Sequence, residues 1–359
     1  MTKFTVRPQW IVESEDGARL PPVLFPLLEA VQATEKLTAA AHQVGISYRH
    51  AWNLIENCHR FFGVPLVALK RGHGAQLTAL GEKLVWAERR TRARLDPHIE
   101  SLTSEINLEL SRLLSSSPTA LRIHASHGFA VAKLPELMNS EMQMQVDLRF
   151  MGSVEALASL QQHNCEFAGF HLANGELGSE LVGQYGPLMH SDAHRFIHLV
   201  RRVQGLYVAK GNQKRIHALT DLRRDDIRMI NRQTGSGTRI LFDHLIEKAG
   251  LHGDDLSGYR SEEFTHAAVA AYVASGIADV GFGVEPPARQ FGLDFIPVAD
   301  ENYYLACEAP TLKDASGAKL HALVAGSAFK SVVGELPGYD AGLSGNVLSA
   351  SEIMRSLRG

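Results

Sequence analysis

Between Leu24 and Thr78 two short blocks of helical apolar spacing are separated by a single glycine and followed by a basic, glycine-rich turn, an order of elements that very few folds can use. From Ala33 to Gln43 the residues Leu37, Ala40 and Ala41 form one apolar stripe, Gly45 is free to take positive φ, and Ser47 is placed to cap a second helix. In that second helix, Tyr48 to Phe62, the residues Ala51, Trp52, Leu54, Ile55, Cys58 and Phe62 are expected to face a core. The opposite face offers Tyr48, Arg49, His50, Asn53, Asn57 and Arg60. Val64 to Leu69, Lys70-Arg71-Gly72-His73-Gly74 and Ala75 to Thr78 then read as strand, turn and strand. The whole is a helix-turn-helix with a β-wing, and its polar face carries the donors that a helix in the major groove needs for phosphates and base edges. Candidate DNA contacts are Ser47, Tyr48, Arg49, His50, Asn53, Arg60, Lys70, Arg71 and His73, and the expected partner is a double-stranded operator.

Charge supports this assignment. From Ser47 to Arg94 nine Lys or Arg stand against three Glu, a balance of +6 in a chain whose net charge is -3, which leaves -9 for the remainder. A basic patch inside an acidic chain is an electrostatic footprint for nucleic acid rather than a solubility device. The segment Met1 to Gly17 lacks an apolar secretory core, and the most apolar later run, Ala267 to Val284, is interrupted by Asp279 and three glycines, so a soluble, cytoplasmic protein without membrane contact is expected. Cys58, Cys165 and Cys307 are too far apart to suggest a disulfide framework or a zinc ribbon.

Phe4 to Val12 alternates loosely and is read as a strand ahead of the first helix. Beyond the wing, Leu80, Leu84, Leu95, Ile99, Leu102, Ile106, Leu110 and Leu113 continue a helical stripe to Leu114, with a kink expected at Pro97. A rod of about 50 Å with an apolar stripe needs a partner, either a second copy of itself, giving a dimer or tetramer, or the chain's own later domain.

After Ser115-Ser116-Ser117-Pro118 the periodicity changes. Leu121 to Ala125, Gln145 to Phe150, Glu166 to Phe170, Arg195 to Val200, Gly205 to Ala209, Ile227 to Ile230 and Ala278 to Val284 read as strands, with helical patterns at Val154 to Gln161 and Arg239 to Ala249. Such alternation predicts an α/β domain of two lobes around a cleft. Ligands in such sheets lie beyond the carboxyl ends of strands. The loops there are Ser126-His127-Gly128, Gly152-Ser153, His171 and Asn231 to Arg239, rich in small hydroxylated residues that leave room for an anion. A small oxyanion or carboxylate is therefore expected to meet Ser126, His127, Gly152, Ser153, His171, Gln233, Thr234, Gly235, Ser236, Thr238, Arg239 and His266, with Arg232 or Arg239 as the source of charge.

Arg71-Gly72-His73-Gly74-Ala75-Gln76-Leu77-Thr78, with Gly81 and Leu84 behind it, resembles the winged helix shared by LysR-type and ModE-type regulators. Arg202-Val203-Gln204-Gly205-Leu206 with Gly211-Asn212, Asn231 to Arg239, and Thr265-His266 with Ala278-Asp279-Val280-Gly281-Phe282-Gly283 resemble the periplasmic-binding-protein-like domain related to molybdate receptors. Gln213 departs from the proline usual after Gly-Asn in that pattern, which touches only a turn. The resemblance implies a winged helix-turn-helix over 1–78, a linker helix over 79–114, a bilobed type II α/β binding domain over 120–311 and a C-terminal helical segment over 312–359. It also implies a transcriptional regulator, not an enzyme, that senses a molybdate- or tungstate-like oxyanion or a small carboxylate such as formate and controls molybdenum-enzyme or related metabolic genes. The alternative is a cytoplasmic anion carrier or enzyme on the same fold.

No metal or cofactor is expected. His190, His194 and His198 lie four apart, but Phe196 to Val200 reads as a strand, which disperses them. Ser126 beside His127 lacks a nucleophile elbow, and the Gly235-Ser236-Gly237 loop has neither the Gly-Lys-Ser/Thr ending of a P-loop nor dinucleotide spacing.

Overall fold

The computed structural model describes residues 4–15, 17–70, 74–114, 120–175, 178, 185–189 and 193–356. By contact density the chain divides into Arg7–Arg92 and a larger unit of Ala93–Gly359 with Met1–Val6.

The smaller unit opens with a short antiparallel pair, β1 (Val12–Glu13) and β2 (Arg19–Leu20), where the sequence suggested one longer strand. Three helices follow: α1 (Leu24–Thr34), α2 (Leu37–Gln43) and α3 (Tyr48–Phe62). The turn between α2 and α3 is made by Gly45 at φ 74°, and the Ser47 side chain accepts a hydrogen bond of 3.2 Å from the His50 N–H, capping α3 as expected. Leu27, Leu28, Val31, Ala40, Ala51, Leu54, Ile55 and Cys58 close the core between them. Trp52 departs from expectation: it is exposed and lies against Tyr48, ring centroids 6.2 Å apart. Helical spacing alone could not exclude it from the core, because it sits at the edge of the apolar stripe. The wing strands β3 (Val67–Lys70) and β4 (Gly74–Leu77) pair antiparallel, Val67 opposite Leu77. Helix α4 (Ala79–Leu114) is a continuous element of 36 residues with Pro97 inside it, and the division between the two units falls within it.

The larger unit is built on one ten-stranded sheet. Strands β5 (Leu121–Ala125), β6 (Val146–Phe150) and β7 (Phe167–Ala173) run parallel, as do β9 (Met229–Arg232), β10 (Glu262–Glu263) and β11 (Val280–Val284). Between the two groups lie β8 (His194–Val208) and β12 (Asp294–Glu308), each 15 residues long and mutually antiparallel. Each parallel group has its own core, one around Ile123, Leu148 and Phe167, the other around Met229, Phe242 and Val280, so the unit has two lobes joined by two crossing strands. Helices α5 (Leu134–Met142) and α6 (Ser153–Gln161) cover the first lobe, and α7 (Gly237–Lys248), α8 (His266–Ala274) and α9 (Glu285–Gln290) the second. Downstream, α10 (Ala315–Ala325) and α11 (Ser327–Gly334) pack in the first lobe's core through Leu320, Leu323 and Phe329. Two short strands, β13 (Tyr339–Asp340) and β14 (Val347–Leu348), pair with β8, and α12 (Ala350–Ser356) closes the described chain.

Two expectations for this unit change. The strands read at Arg195 to Val200 and Gly205 to Ala209 are one strand, and β12 has no counterpart in the sequence reading. Both contain charged residues that break an apolar pattern, yet Arg202, Gln204 and Glu301 are buried because they pair with one another.

The later half of α4 belongs to this unit. Ser101 and Ser104 accept hydrogen bonds from the backbone N–H groups of Phe150 and Leu148 on the outer edge of β6, and Thr265 donates to the Ala93 carbonyl. Arg94 pairs with Glu263 at 3.0 Å. One helix thus touches the edge strand of each lobe. Leu95, Leu102 and Ile106 remain exposed.

Candidate functional site

Arg202 on β8 and Glu301 on β12 stand directly opposite in the antiparallel register, both essentially without solvent exposure. Arg202 Nε donates to Glu301 Oε1, Gln204 Nε2 donates to the same oxygen at 2.7 Å, and His171 Nδ1 on β7 meets Oε2 at 2.9 Å. All the Glu301 partners therefore come from neighbouring strands. Gln204 also reaches Thr238 Oγ1, at 3.3 Å, which ties the first turn of α7 to the crossing strands. The Arg202 guanidinium lies 5.3 Å from the Tyr303 ring centroid, and Tyr303 donates to the Ser126 carbonyl at 2.6 Å while accepting from the Ser126 hydroxyl at 3.2 Å.

What Arg202 does with its other end defines the site. Nη1 and Nη2 are buried, are not used by Glu301, and lie against the buried Tyr339 hydroxyl without a hydrogen bond of good geometry. The loop after β5 comes close on this side: a side chain at Gly128 would place its Cβ 3.0 Å from Nη1. Gly237 is held against the His171 ring, where a Cβ would lie 2.3 Å from Cε1, so only glycine allows that helix start to approach. Gly152 of the first lobe faces Gly235 of the second, its absent Cβ 3.8 Å from the Gly235 carbonyl oxygen. The buried cluster thus occupies the junction of the lobes.

Electrostatics show a surplus of positive charge there. Burial opposes ionisation of Glu301, but Arg202 and His171 outweigh it and bring its carboxyl down to about 2. Arg232 on β9 is brought down to about 10, first by burial and further by the like charge of Arg202. His127, whose ring rests 4.9 Å from that of Phe150, is lowered to about 3 by burial and then by Arg232 and Arg202. His266 lies well below its ordinary value for the same reasons, with His127 and His171 adding to them. The Nδ1 atoms of His127 and His266 are buried without partners. Two guanidiniums, three imidazoles and one carboxylate in a dry junction are what an anion relieves and a cation does not.

Of the expected ligand residues, Ser126, Ser153, His171, Thr238 and His266 are buried at or next to this cluster, His127 is half-buried there with its Nδ1 enclosed, and Arg232 is the second cation. Ser236 caps α7, accepting from the Arg239 N–H. Others are committed elsewhere. Arg239 pairs with Asp243 and Glu262 and stacks on Tyr259, exposed Thr234 donates to Glu262, and Gln233 accepts from Arg232 Nε. The positive charge at the junction therefore comes from Arg202 and Arg232, while Arg239 is held in ion pairs of its own. Arg202, Gln204, Glu301 and Tyr303 are absent from the ligand residues expected from sequence, although Arg202-Val203-Gln204 lies in a stretch that carries the binding-domain resemblance.

In the smaller unit, Tyr48, Arg49, His50, Asn53 and Arg60 are exposed along α3, with Arg60 donating to Asn57. Lys70 ends β3, and Arg71 and His73 lie outside the described residues. Among those residues no three His, Cys, Asp or Glu are grouped to hold a metal; His194 and His198 lie on β8, and His190 is outside the description. The described cysteines are free and buried, and no described helix is long and apolar enough to cross a membrane.

A bilobed α/β unit with crossing strands and a polar junction is a ligand-binding domain in architecture. Residues 134–325, more than half of the chain, match the model of the PBP superfamily domain, and the chain belongs to that family. It is 33% identical over 200 residues to the uncharacterized protein YvgK of Bacillus subtilis (strain 168), a match covering 56% of this chain and 64% of YvgK. It is 30% identical over 143 residues to the molybdenum-pterin-binding protein MopB of Rhodobacter capsulatus, covering 39% of this chain and 52% of MopB. The chain thus spans less than two thirds of either relative. Among solved structures, a Corynebacterium glutamicum OxyR mutant with H2O2 bound aligns over 84% of this chain and 89% of its own, with 13% identity and a TM-score of 0.43.

Proposed function

We propose that this chain is a cytoplasmic transcriptional regulator of LysR-like or ModE-like organisation, in which a small anion held between the lobes changes the engagement of α3 and the wing with an operator. The observation that carries the ligand half is the buried Arg202, whose Nη1 and Nη2 are desolvated and have no acidic partner. The DNA half rests on the exposed Arg49, His50, Asn53 and Arg60 and on the +6 balance between Ser47 and Arg94. A molybdate- or tungstate-like oxyanion and a small carboxylate both suit the site, and the similarity to a molybdenum-pterin-binding protein supports the former. Homodimers or tetramers joined through the exposed Leu95, Leu102 and Ile106 would set two recognition helices on successive half-sites.

The test is a thermal-shift panel of molybdate, tungstate, sulfate, formate and acetate on the parent protein and on Arg202→Gln. A ligand stabilises the state it binds by RT ln(1 + [L]/Kd), about 2.7 kcal/mol at a hundredfold excess over Kd. The parent protein should be stabilised by at least one of these anions, and Arg202→Gln should need ~10- to 100-fold more of it, the loss of a hydrogen bond to a charged ligand. An equal response in both proteins rejects the cleft as the site.

A further inference from the structure

One edge of β8 is taken by β12, and the other is shared. There β11 of the second lobe pairs from Gln204 to Val208, and beyond it come β13 and β14, with Tyr339 opposite Arg202 and Val347 opposite Ile197. The backbone ties this C-terminal segment down: the Val203 N–H donates to the Gly338 carbonyl at 2.9 Å, the His198 N–H to that of Asn346 at 2.8 Å, and the Ser344 hydroxyl to that of Leu199. Gly338, at φ 72°, lies against the first residue of α9 in the second lobe, where its absent Cβ would be 3.0 Å from that of Glu285. The segment is thus a strap fastened to a crossing strand at the point where the lobes meet.

Directly opposed residues of an antiparallel pair share a face, so Tyr339, Arg202 and Glu301 form one row across β13, β8 and β12. The row brings the Tyr339 hydroxyl to the end of the guanidinium that Glu301 does not use. The Tyr339 side chain packs on the first lobe's core, and its oxygen is buried. The two hydrogen-bonding groups that bear on that oxygen, the Arg202 guanidinium and the Phe129 N–H of the loop after β5, are both donors, and neither meets it with good geometry. A phenol also has a proton to give. Burial raises the Tyr339 phenol above its ordinary range, so the proton stays, and among the described residues it has no acceptor. Such a buried donor costs free energy that an incoming oxygen restores.

We propose that the strap completes the ligand site and that Tyr339 is a ligand residue on it, its O–H donated to an oxygen of the anion that Arg202 Nη1 and Nη2 hold from β8. This rests on the anion-site reading above.

The test uses the full chain with fluorotyrosine in place of tyrosine, titrated with sodium molybdate and with sodium formate and followed by fluorine resonance and calorimetry, beside Tyr339→Phe and Arg202→Gln. Tyr339→Phe keeps the ring, removes the hydroxyl and assigns the Tyr339 signal by its disappearance. Without anion it should melt at or above the parent's temperature, because the group removed has no partner there; a merely structural hydroxyl would lower it. It should bind the anion ~10- to 100-fold more weakly, and in the parent the assigned signal should shift as the anion saturates. Equal Kd values for Tyr339→Phe and the parent, or a Tyr339 signal that stays still while the anion binds, overturns the role of the strap and leaves the anion site in place. Binding of neither anion, or identical titrations for Arg202→Gln and the parent, overturns the anion-site reading and the role of Tyr339 with it.

Discussion

Arg202 and Glu301 face each other across the crossing strands; without Arg202, Glu301 keeps Gln204 and His171 but loses its guanidinium partner, and without Glu301 the buried guanidinium loses its carboxylate. Arg202→Met should therefore destabilise the larger unit by ~3 to 5 kcal/mol, while Arg202→Met with Glu301→Gln should recover much of that loss; urea denaturation of both variants measures the difference. Acid acts on the same group. Because the folded Glu301 carboxyl is held at about 2 against an ordinary 4.5, its contribution is present above pH 4.5 and lost as the pH falls through 2. His127 behaves similarly at higher pH: lowered from 6.5 to about 3, it remains neutral in the fold while the unfolded chain protonates, so stability should decline as soon as pH drops below 6.5. His127→Gln should flatten that first decline in a melting series; an unchanged pH profile would mean the imidazole is not held neutral. The ion pair was not legible in the sequence, where Glu301 lies 99 residues from Arg202 and only the fold reveals the pair. The small residues of the loops were legible, because a Ser or Gly before a helix has a local reason to be there.

At the scale of elements, α3 was readable to the residue: its cap, its length and most of its buried face are decided locally, by Ser47 and by spacing. Arg49→Ala is expected to relax preference at one operator position by ~1 to 3 kcal/mol, and Lys70→Ala to weaken all sequences alike while reducing the salt slope by about one. Binding curves on matched and mismatched duplexes separate the two effects. The linker helix docks on the larger unit through polar residues and leaves part of its apolar stripe uncovered. Ser101 and Ser104 dock on β6, while Leu95, Leu102 and Ile106 face away and stay exposed. Leu102→Glu should shift sedimentation toward the monomer and weaken paired-site DNA binding far more than single-site binding, since bivalent engagement supplies the effective concentration. A dimer unaltered by that charge would assign the stripe another role. Strand β12 is hard to read because Asp300, Glu301 and Asn302 interrupt its apolar run: Glu301 belongs to the buried cluster, while Asp300 pairs with Arg201 and Asn302 with His198 on β8.

For the whole molecule, the order of the parts was legible because each switches the hydrophobic period, from helical spacing to alternating strands near residue 120. The junction between lobes was not, since it depends on which strands cross. In the proposed regulator, Arg94 and Ser101 connect the linker helix to the edge of each lobe, so ligand-driven rearrangement of the lobes has a direct mechanical outlet. The most direct measurement is fluorescence anisotropy of a duplex enriched from a random pool, titrated with the parent protein and with Arg202→Gln, each with and without the anion that raises the parent's melting temperature most. The account predicts that this anion moves the parent's DNA midpoint by about fivefold or more, that DNA changes the anion's affinity by the same factor, and that the midpoint of Arg202→Gln stays where it was. A parent midpoint indifferent to the anion, or one that moves equally in both proteins, would contradict it.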